Sequence, residues 1–320
     1  MNIFKKMETM LNKKFEAGDK IRKPIFIVGC GRAGTTLLFD IVSQHPGLAR
    51  TDGYPDGEDH EGWIEHGKCI MAGIGNVYHS HYGNGINGQQ FCLHMTNADV
   101  TEEIVCNMHN HYWKNVLKEN RDKRVVNKQP HLSNKLDYLL GIFPDAKIVH
   151  IIRDCEPMVA SWLSLMKVHP SLVVYWPKEE DLPCFWLMQK PEDEVSLARL
   201  ERHGQFYPGG GSALWIDYWY KVNTGIERQM QSRVDQLLTI RYEDLISKPT
   251  EVLGSLTSFC NLESHDFSIE HLQKNTHLKH TSLMTEDLRR AIFDQAQLVR
   301  MKFGYVTGGA PELAKSLYMP

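Results

Sequence analysis

No apolar run in this chain approaches the ~20 consecutive residues that a bilayer-spanning helix requires. Cysteine is scarce and scattered: the seven residues (Cys30, Cys69, Cys92, Cys106, Cys155, Cys184 and Cys260) form no CxxC pair. That count and spacing speak against a zinc ribbon or a disulfide framework, and a reducing cytoplasm is the expected location. The first residues lack an apolar core followed by a small-residue cleavage site, so no secretory leader is expected. Charge of one sign is also in short supply. A net charge of −3 does not fit a general nucleic-acid binder and disfavours a highly anionic polymer as substrate. No internal repeat or low-complexity tract is present. With 42% hydrophobic and 23% charged residues, disorder and collagen-like repeats are excluded. The 320 residues suit one large or two ordinary domains.

Residues 1–23 form a basic segment in which Ile3, Phe4, Met7, Leu11 and Phe15 recur near helical spacing. The two readings are a docked terminal helix and a weak contact with a membrane surface. Residues 24–320 read as one domain. The apolar run 24–29 is entered from a proline and closed by a glycine, the pattern of a buried strand. Further strands are expected at 123–128, 147–153 and 236–241. Helices are expected at 37–44, 98–117, 132–140, 156–166, 213–231 and 250–259. Strands alternating with helices predict an α/β fold, a three-layer sandwich around a central parallel sheet. Two long stretches, near 50–100 and 168–211, show no clear periodicity, are too long for ordinary connections, and are expected to be functional lids or pocket walls.

The turn between the first strand and helix reads Gly29-Cys30-Gly31-Arg32-Ala33-Gly34-Thr35-Thr36. Its GxxxxG spacing presents backbone N–H groups and a helix N-terminus to an anion. The position that holds lysine in a nucleotide triphosphatase carries Thr35, and Arg32 is the fixed cation of the loop. A kinase or other nucleotide-binding enzyme, a glycine-rich turn without a ligand and a non-catalytic nucleotide-binding scaffold are the competing readings.

The segment PIFIVGCGRAGTTLLFDIVSQHPGL resembles the 5′-phosphosulfate loop of sulfotransferases that use 3′-phosphoadenosine 5′-phosphosulfate (PAPS). That resemblance implies a P-loop NTPase-like fold, PAPS as cofactor, no metal required for transfer, and a cofactor site formed by Gly31, Arg32, Ala33, Gly34, Thr35 and Thr36. The segment KIVHIIRDCEPMVASWL resembles the family's 3′-phosphate site, with Arg153 ending a strand and Ser161 on the next helix. The alternatives are an ion pair of Arg153 with Asp154 or Asp145 and a helix-face serine. Thr239 to Leu245 resembles the Tyr-Glu-Asp-Leu stretch of the carbohydrate and tyrosylprotein branch, which makes Tyr242 a cofactor candidate. A covering loop is expected near residues 277–282.

Sulfuryl transfer to a hydroxyl needs cations for the developing charge and a base for the acceptor proton. By the same resemblance, Arg32 and Lys128 supply the charge, with Lys135 as the rival lysine. Glu58 is the first choice of base, and Asp56, Asp59 and His60 are alternatives. The histidines at 60, 66, 79, 81, 94, 109 and 111 complete no tetrahedral ligand pattern in sequence, so no metal site is expected. The implied activity is transfer to a hydroxyl of a small or medium-sized acceptor such as a sugar, lipid, phenol or peptide.

Overall fold

The computed structural model describes residues 20–52, 57–67, 95–177, 186–190, 192–208, 210–270, 272 and 281–305. Residues 1–19 of the basic segment lie outside them, as do Asp56, His79, His81, His94 and residues 277–280 of the expected covering loop.

The chain enters strand β1 (Ile25–Val28), whose four residues are all buried. Side chains alternate along a strand. Phe26 and Val28 therefore join one apolar core, and Ile25 and Ile27 join another on the opposite face. Next come α1 (Thr35–Val42), β2 (Leu48–Arg50), α2 (His60–Glu65), α3 (Glu102–Asn115), β3 (Arg124–Lys128), α4 (Leu136–Ile142), β4 (Lys147–Ile152) and α5 (Cys155–Val168). The middle of the chain forms β5 (Leu172–Pro177), β6 (Trp186–Gln189), α6 (Glu194–His203), β7 (Gly204–Pro208) and α7 (Ser212–Gln229). The last described elements are β8 (Leu237–Arg241), α8 (Tyr242–Ser247), α9 (Pro249–Cys260) and α10 (Glu286–Lys302).

The main sheet runs β2-β3-β1-β4-β8, with every neighbouring pair parallel. Helices α1, α8 and α9 cover one face, and α3, α4, α5, α7 and α10 cover the other. This is the α/β architecture expected from the sequence. Its register sets where the strands end: Ile27 lies beside Lys128, Val28 beside His150, and Ile152 beside Arg241, so β4 and β8 run two residues past β1. Lys128, the turn after Val28, Arg153 and Tyr242 consequently leave the sheet side by side. The strand order diverges at β1, toward β3 and β2 on one side and toward β4 and β8 on the other. Ligands of open α/β sheets bind at such a divergence, outside the carboxyl ends of the strands.

The structure departs from expectation in several places. Within 168–211 the described residues hold a second, antiparallel sheet of order β6-β5-β7, together with α6. The run Val173-Val174-Tyr175-Trp176 is rich in strand-forming residues. One of its partners, β7, lies beyond β6 and α6 in the chain, and Val174 anchors the run in the core. The helix expected from 132 begins at Leu136, because Pro130–Leu132 forms a single 3-10 turn. Helix α2, inside the aperiodic stretch, starts where the Asp59 side chain accepts the Gly62 amide. Helix α10 was not expected. Its buried Leu288, Ile292, Ala296 and Val299 make one apolar stripe, and Thr285 caps its start.

Helix α10 also braces the working edge of the sheet. Arg300 binds Asp154 in a two-pronged ion pair at 2.8 and 2.9 Å and reaches Glu156 at 3.1 Å. Beyond the helix, the Tyr305 hydroxyl donates to the Ile152 carbonyl at 3.1 Å.

Gly29 (φ 142°) has no room for a side chain, since a Cβ would collide with the Ile151 carbonyl oxygen. Gly29→Ala is expected to cost about 2–4 kcal/mol in urea denaturation. Gly254→Ala, on α9 with open space around it, is expected to stabilise by about 0.5–1 kcal/mol. Similar effects of the two changes would contradict this packing.

Candidate functional site

The turn after β1 is gripped by aromatic side chains from the helices behind it. The Gly31 amide donates to the Tyr218 hydroxyl at 2.8 Å, and the Gly31 carbonyl accepts from Trp162 Nε1 at 3.2 Å. Trp162 stacks on Trp215, with ring centroids 4.3 Å apart. Ala33 gives its amide to the Cys30 carbonyl. Gly31 and Ala33, both expected to bind an anion, thus have their amides engaged inside the protein. The first amides of α1, from Gly34 to Thr36, have no acceptor within the helix. Gly34 caps that helix in a left-handed conformation (φ 99°) without a side-chain hydrogen bond. A Cβ on Gly34 would come within 2.5 Å of the Tyr242 ring, so the turn and Tyr242 pack in direct contact.

One shoulder of the turn combines Arg32, Arg153, Ser161 and Tyr242. Arg32 Nε donates to Ser161 Oγ at 3.1 Å. Arg153 donates to the Arg32 carbonyl at 3.3 Å and lies over the Tyr242 ring at 4.6 Å. Asp154 is engaged by Arg300, and Asp145 accepts the Lys23 amide. Arg153 is drawn toward the turn. Burial and the like charge of Arg32 push its pKa below the ordinary arginine range, and Tyr242 and Glu243 oppose them. Two guanidinium groups against one turn form a site complementary to an anion.

The other shoulder combines Thr36, Glu58, Lys128 and His60. Lys128 is 1% exposed and donates to Glu58 Oε1 at 2.6 Å and to Thr36 Oγ1 at 3.3 Å. Glu58 Oε2 receives His60 Nε2 at 2.7 Å. The Glu58 segment is fixed from below: Asn127 Nδ2 donates to Thr51 Oγ1, which donates to the Gly57 carbonyl. Burial alone would raise the Glu58 pKa. The hydrogen bond from His60 and the charges of Lys128, His60 and His131 outweigh it and hold the carboxyl at about 2. His131 approaches His60 with ring centroids 5.3 Å apart, and sequence reasoning had not connected it with this site. The ligand atoms of Glu58, His60 and His131 lie within 4.8 Å of one another, so this trio could hold a metal ion.

The rival candidates have other partners. Asp59 turns away from Lys128, caps α2, and pairs with His111 at 2.8 Å. His109 accepts the Ile21 amide and contacts the Ile142 carbonyl, a structural role. Lys135 is buried and donates to Asn134 Oδ1 at 3.0 Å and to the His131 carbonyl at 3.3 Å. Tyr218, Trp162, Gln129 and Arg300 support the site through contacts that no local motif announces.

A family model described as the sulfotransferase family matches residues 24–183. The crystal structure of a sulfotransferase from Alicyclobacillus acidocaldarius is 17% identical, with a TM-score of 0.50 over 89% of this chain and 96% of that one. A sulfotransferase domain from the Synechococcus PCC 7002 olefin synthase is 16% identical, with a TM-score of 0.49 over 92% of this chain and all of that domain. At 17% identity the likeness to the Alicyclobacillus structure is one of fold. An uncharacterised protein of Aquifex aeolicus (strain VF5) is 21% identical over 278 residues, and the chain spans 30% of its length.

The depressed Glu58 pKa gives folding a pH dependence of known sign. Above the ordinary value of 4.5 the ionised pair contributes fully, and the contribution fades as pH falls toward about 2. Glu58→Gln is therefore expected to be less stable than the wild type at pH 7, by on the order of 3 kcal/mol, with the gap narrowing below pH 4.5. Urea denaturation at stepped pH measures this, and a gap that widens in acid would contradict the pairing.

Proposed function

The chain belongs to the sulfotransferase family, and from that premise we propose that it moves the sulfuryl group of PAPS to a hydroxyl of a small or medium-sized acceptor. When bound, PAPS supplies an activated sulfuryl group on a phosphate leaving group. The observation that carries this reading is the convergence of Arg32, Arg153 and Lys128 on one glycine-rich turn, at the ends of three adjacent strands. Thr35 stands in place of the lysine that a triphosphatase would use.

Arg153 and Ser161 are suited to a 3′-phosphate by charge-assisted hydrogen bonding, with Tyr242 beneath Arg153. Arg32 and the amides at the start of α1 are suited to the 5′ side. Lys128 is the cation for charge that develops during transfer, and Glu58 is the base for the acceptor proton. A carboxylate at about 2 is a weak base. His60 and Lys128 both hold the pKa down, so a Lys128 that turns toward the transferring group removes part of that restraint and raises the basicity of Glu58.

Incubation with sulfate-labelled PAPS and a panel of phenol, sugar, lipid and peptide hydroxyls is expected to label at least one acceptor. Stabilisation by ATP–Mg²⁺ and not by adenosine 3′,5′-bisphosphate in thermal unfolding would overturn the reading. Arg153→Ala is expected to weaken bisphosphate binding by about 10–100-fold in calorimetry while the protein stays folded. Unchanged affinity would remove the 3′-phosphate role. Lys128→Ala is expected to lower kcat by about 10²–10³-fold, more than it lowers nucleotide affinity. Because Lys128 lowers the Glu58 pKa, its loss also moves the acid limb of the pH–rate profile to higher pH. A variant weakened in affinity alone would contradict that role.

A further inference from the structure

The shoulder that holds Glu58 gathers more donor groups than an ion pair with Lys128 needs. The ligand atoms of Glu58, His60 and His131 lie within 4.8 Å of one another. The His60 and Glu58 side chains are only 4% and 13% exposed, so these are not solvated surface groups. Two imidazoles and one carboxylate are the donor set of zinc sites that keep a fourth position open. Outer contacts of the right kind are also present. Lys128 holds the second Glu58 oxygen at 2.6 Å. The Gln129 amide lies 3.4 Å from His60 Nδ1, and Gln129 Oε1 is fully buried without a hydrogen-bond partner.

That orphaned oxygen bears on the choice. His60 Nε2 faces Glu58 and Nδ1 faces the Gln129 amide. An ion on Nε2 leaves the ring proton on Nδ1. A half-turn of the Gln129 amide then lets Oε1 accept it, which is how outer-shell carbonyls orient metal-bound histidines.

We propose that Glu58, His60 and His131 form a binding site for a divalent transition-metal cation of the zinc class, and that the bound ion blocks sulfuryl transfer. Binding is independent of the functional reading above, whereas the block rests on it, because the ion occupies the carboxylate that takes the acceptor proton. Imidazole donors favour zinc, cobalt, nickel and copper over magnesium and calcium.

The test uses the whole chain, stripped with a chelator and titrated with Co²⁺ under visible absorption. One equivalent is expected to give the intense bands of a four-coordinate site, displaced by Zn²⁺, with Mg²⁺ unable to compete. His131→Ala, and His131→Asn as a second variant if the first is poorly folded, are expected to weaken binding at least about tenfold, as is His60→Ala. Absence of one-to-one binding would overturn the site. Binding undiminished in these variants would also overturn it, by assigning the ion to other histidines. In the transfer assay, Zn²⁺ is expected to inhibit the wild type, and His131→Ala to need at least about tenfold more Zn²⁺ for the same inhibition. Zn²⁺ bound at the trio with turnover intact would overturn the block and count against Glu58 as base. No binding with turnover intact would remove only the metal site.

Discussion

Parallel pairing of β1 with β3 on one side and β4 on the other sets the position of every group at the working edge. The register that puts Lys128 beside Ile27 and His150 beside Val28 also sets where Lys128 and Arg153 leave the sheet. A slip of one residue would turn each side chain to the opposite face and separate Lys128 from Thr36 and Glu58. The two apolar cores enforce that register. Phe26 and Val28 are matched to one set of helices, and Ile25 and Ile27 to the other. The site is thus a consequence of how the sheet is packed, and its cations are held by strands as well as by the loop between them.

Holding three cations around one turn is electrostatically unfavourable without an anion, and the surroundings offset it. Ser161 accepts from Arg32, the Tyr242 ring lies under Arg153, and Glu58 neutralises Lys128. The neighbour of Arg153, Asp154, is clamped by Arg300 from a helix far along the chain, and its amide is held by Glu243 at 3.1 Å. Breaking such a part-buried pair from one side leaves a charge without its partner and is destabilising. Helix α10 thereby serves the site by holding the residue next to Arg153. Behind the turn, Tyr218 and Trp162 hold Gly31 by both of its backbone polar groups, leaving the helix start to face an anion.

Much of this was legible in the residues. The apolar strand, the glycine spacing, Arg32, and the strand-ending Arg153 with Ser161 eight residues later were all visible as local patterns, and the structure brings them together. Lys128, Glu58 and Thr36 likewise meet. What stayed hidden depends on contacts between distant segments. Asp59 and Glu58 are adjacent carboxylates in a polar loop, and only the cap of α2 and the partner His111 show that they face different ways. His131 follows a proline in an unremarkable stretch, and its approach to His60 follows from the 3-10 turn after β3. The small sheet β6-β5-β7 was hidden because β5 pairs with β7 across β6 and α6. The apolar stripe of α10 was readable in principle, but the use of Arg300 to hold Asp154 across 146 positions was not.

The most direct measurement is a crystal structure with adenosine 3′,5′-bisphosphate bound. The 3′-phosphate is expected on Arg153 and Ser161, the 5′-phosphate on Arg32 and the amides of Gly34 to Thr36, and Lys128 turned from Glu58 toward the 5′ end. A nucleotide bound elsewhere, with Arg32 and Arg153 away from both phosphates, would contradict this placement.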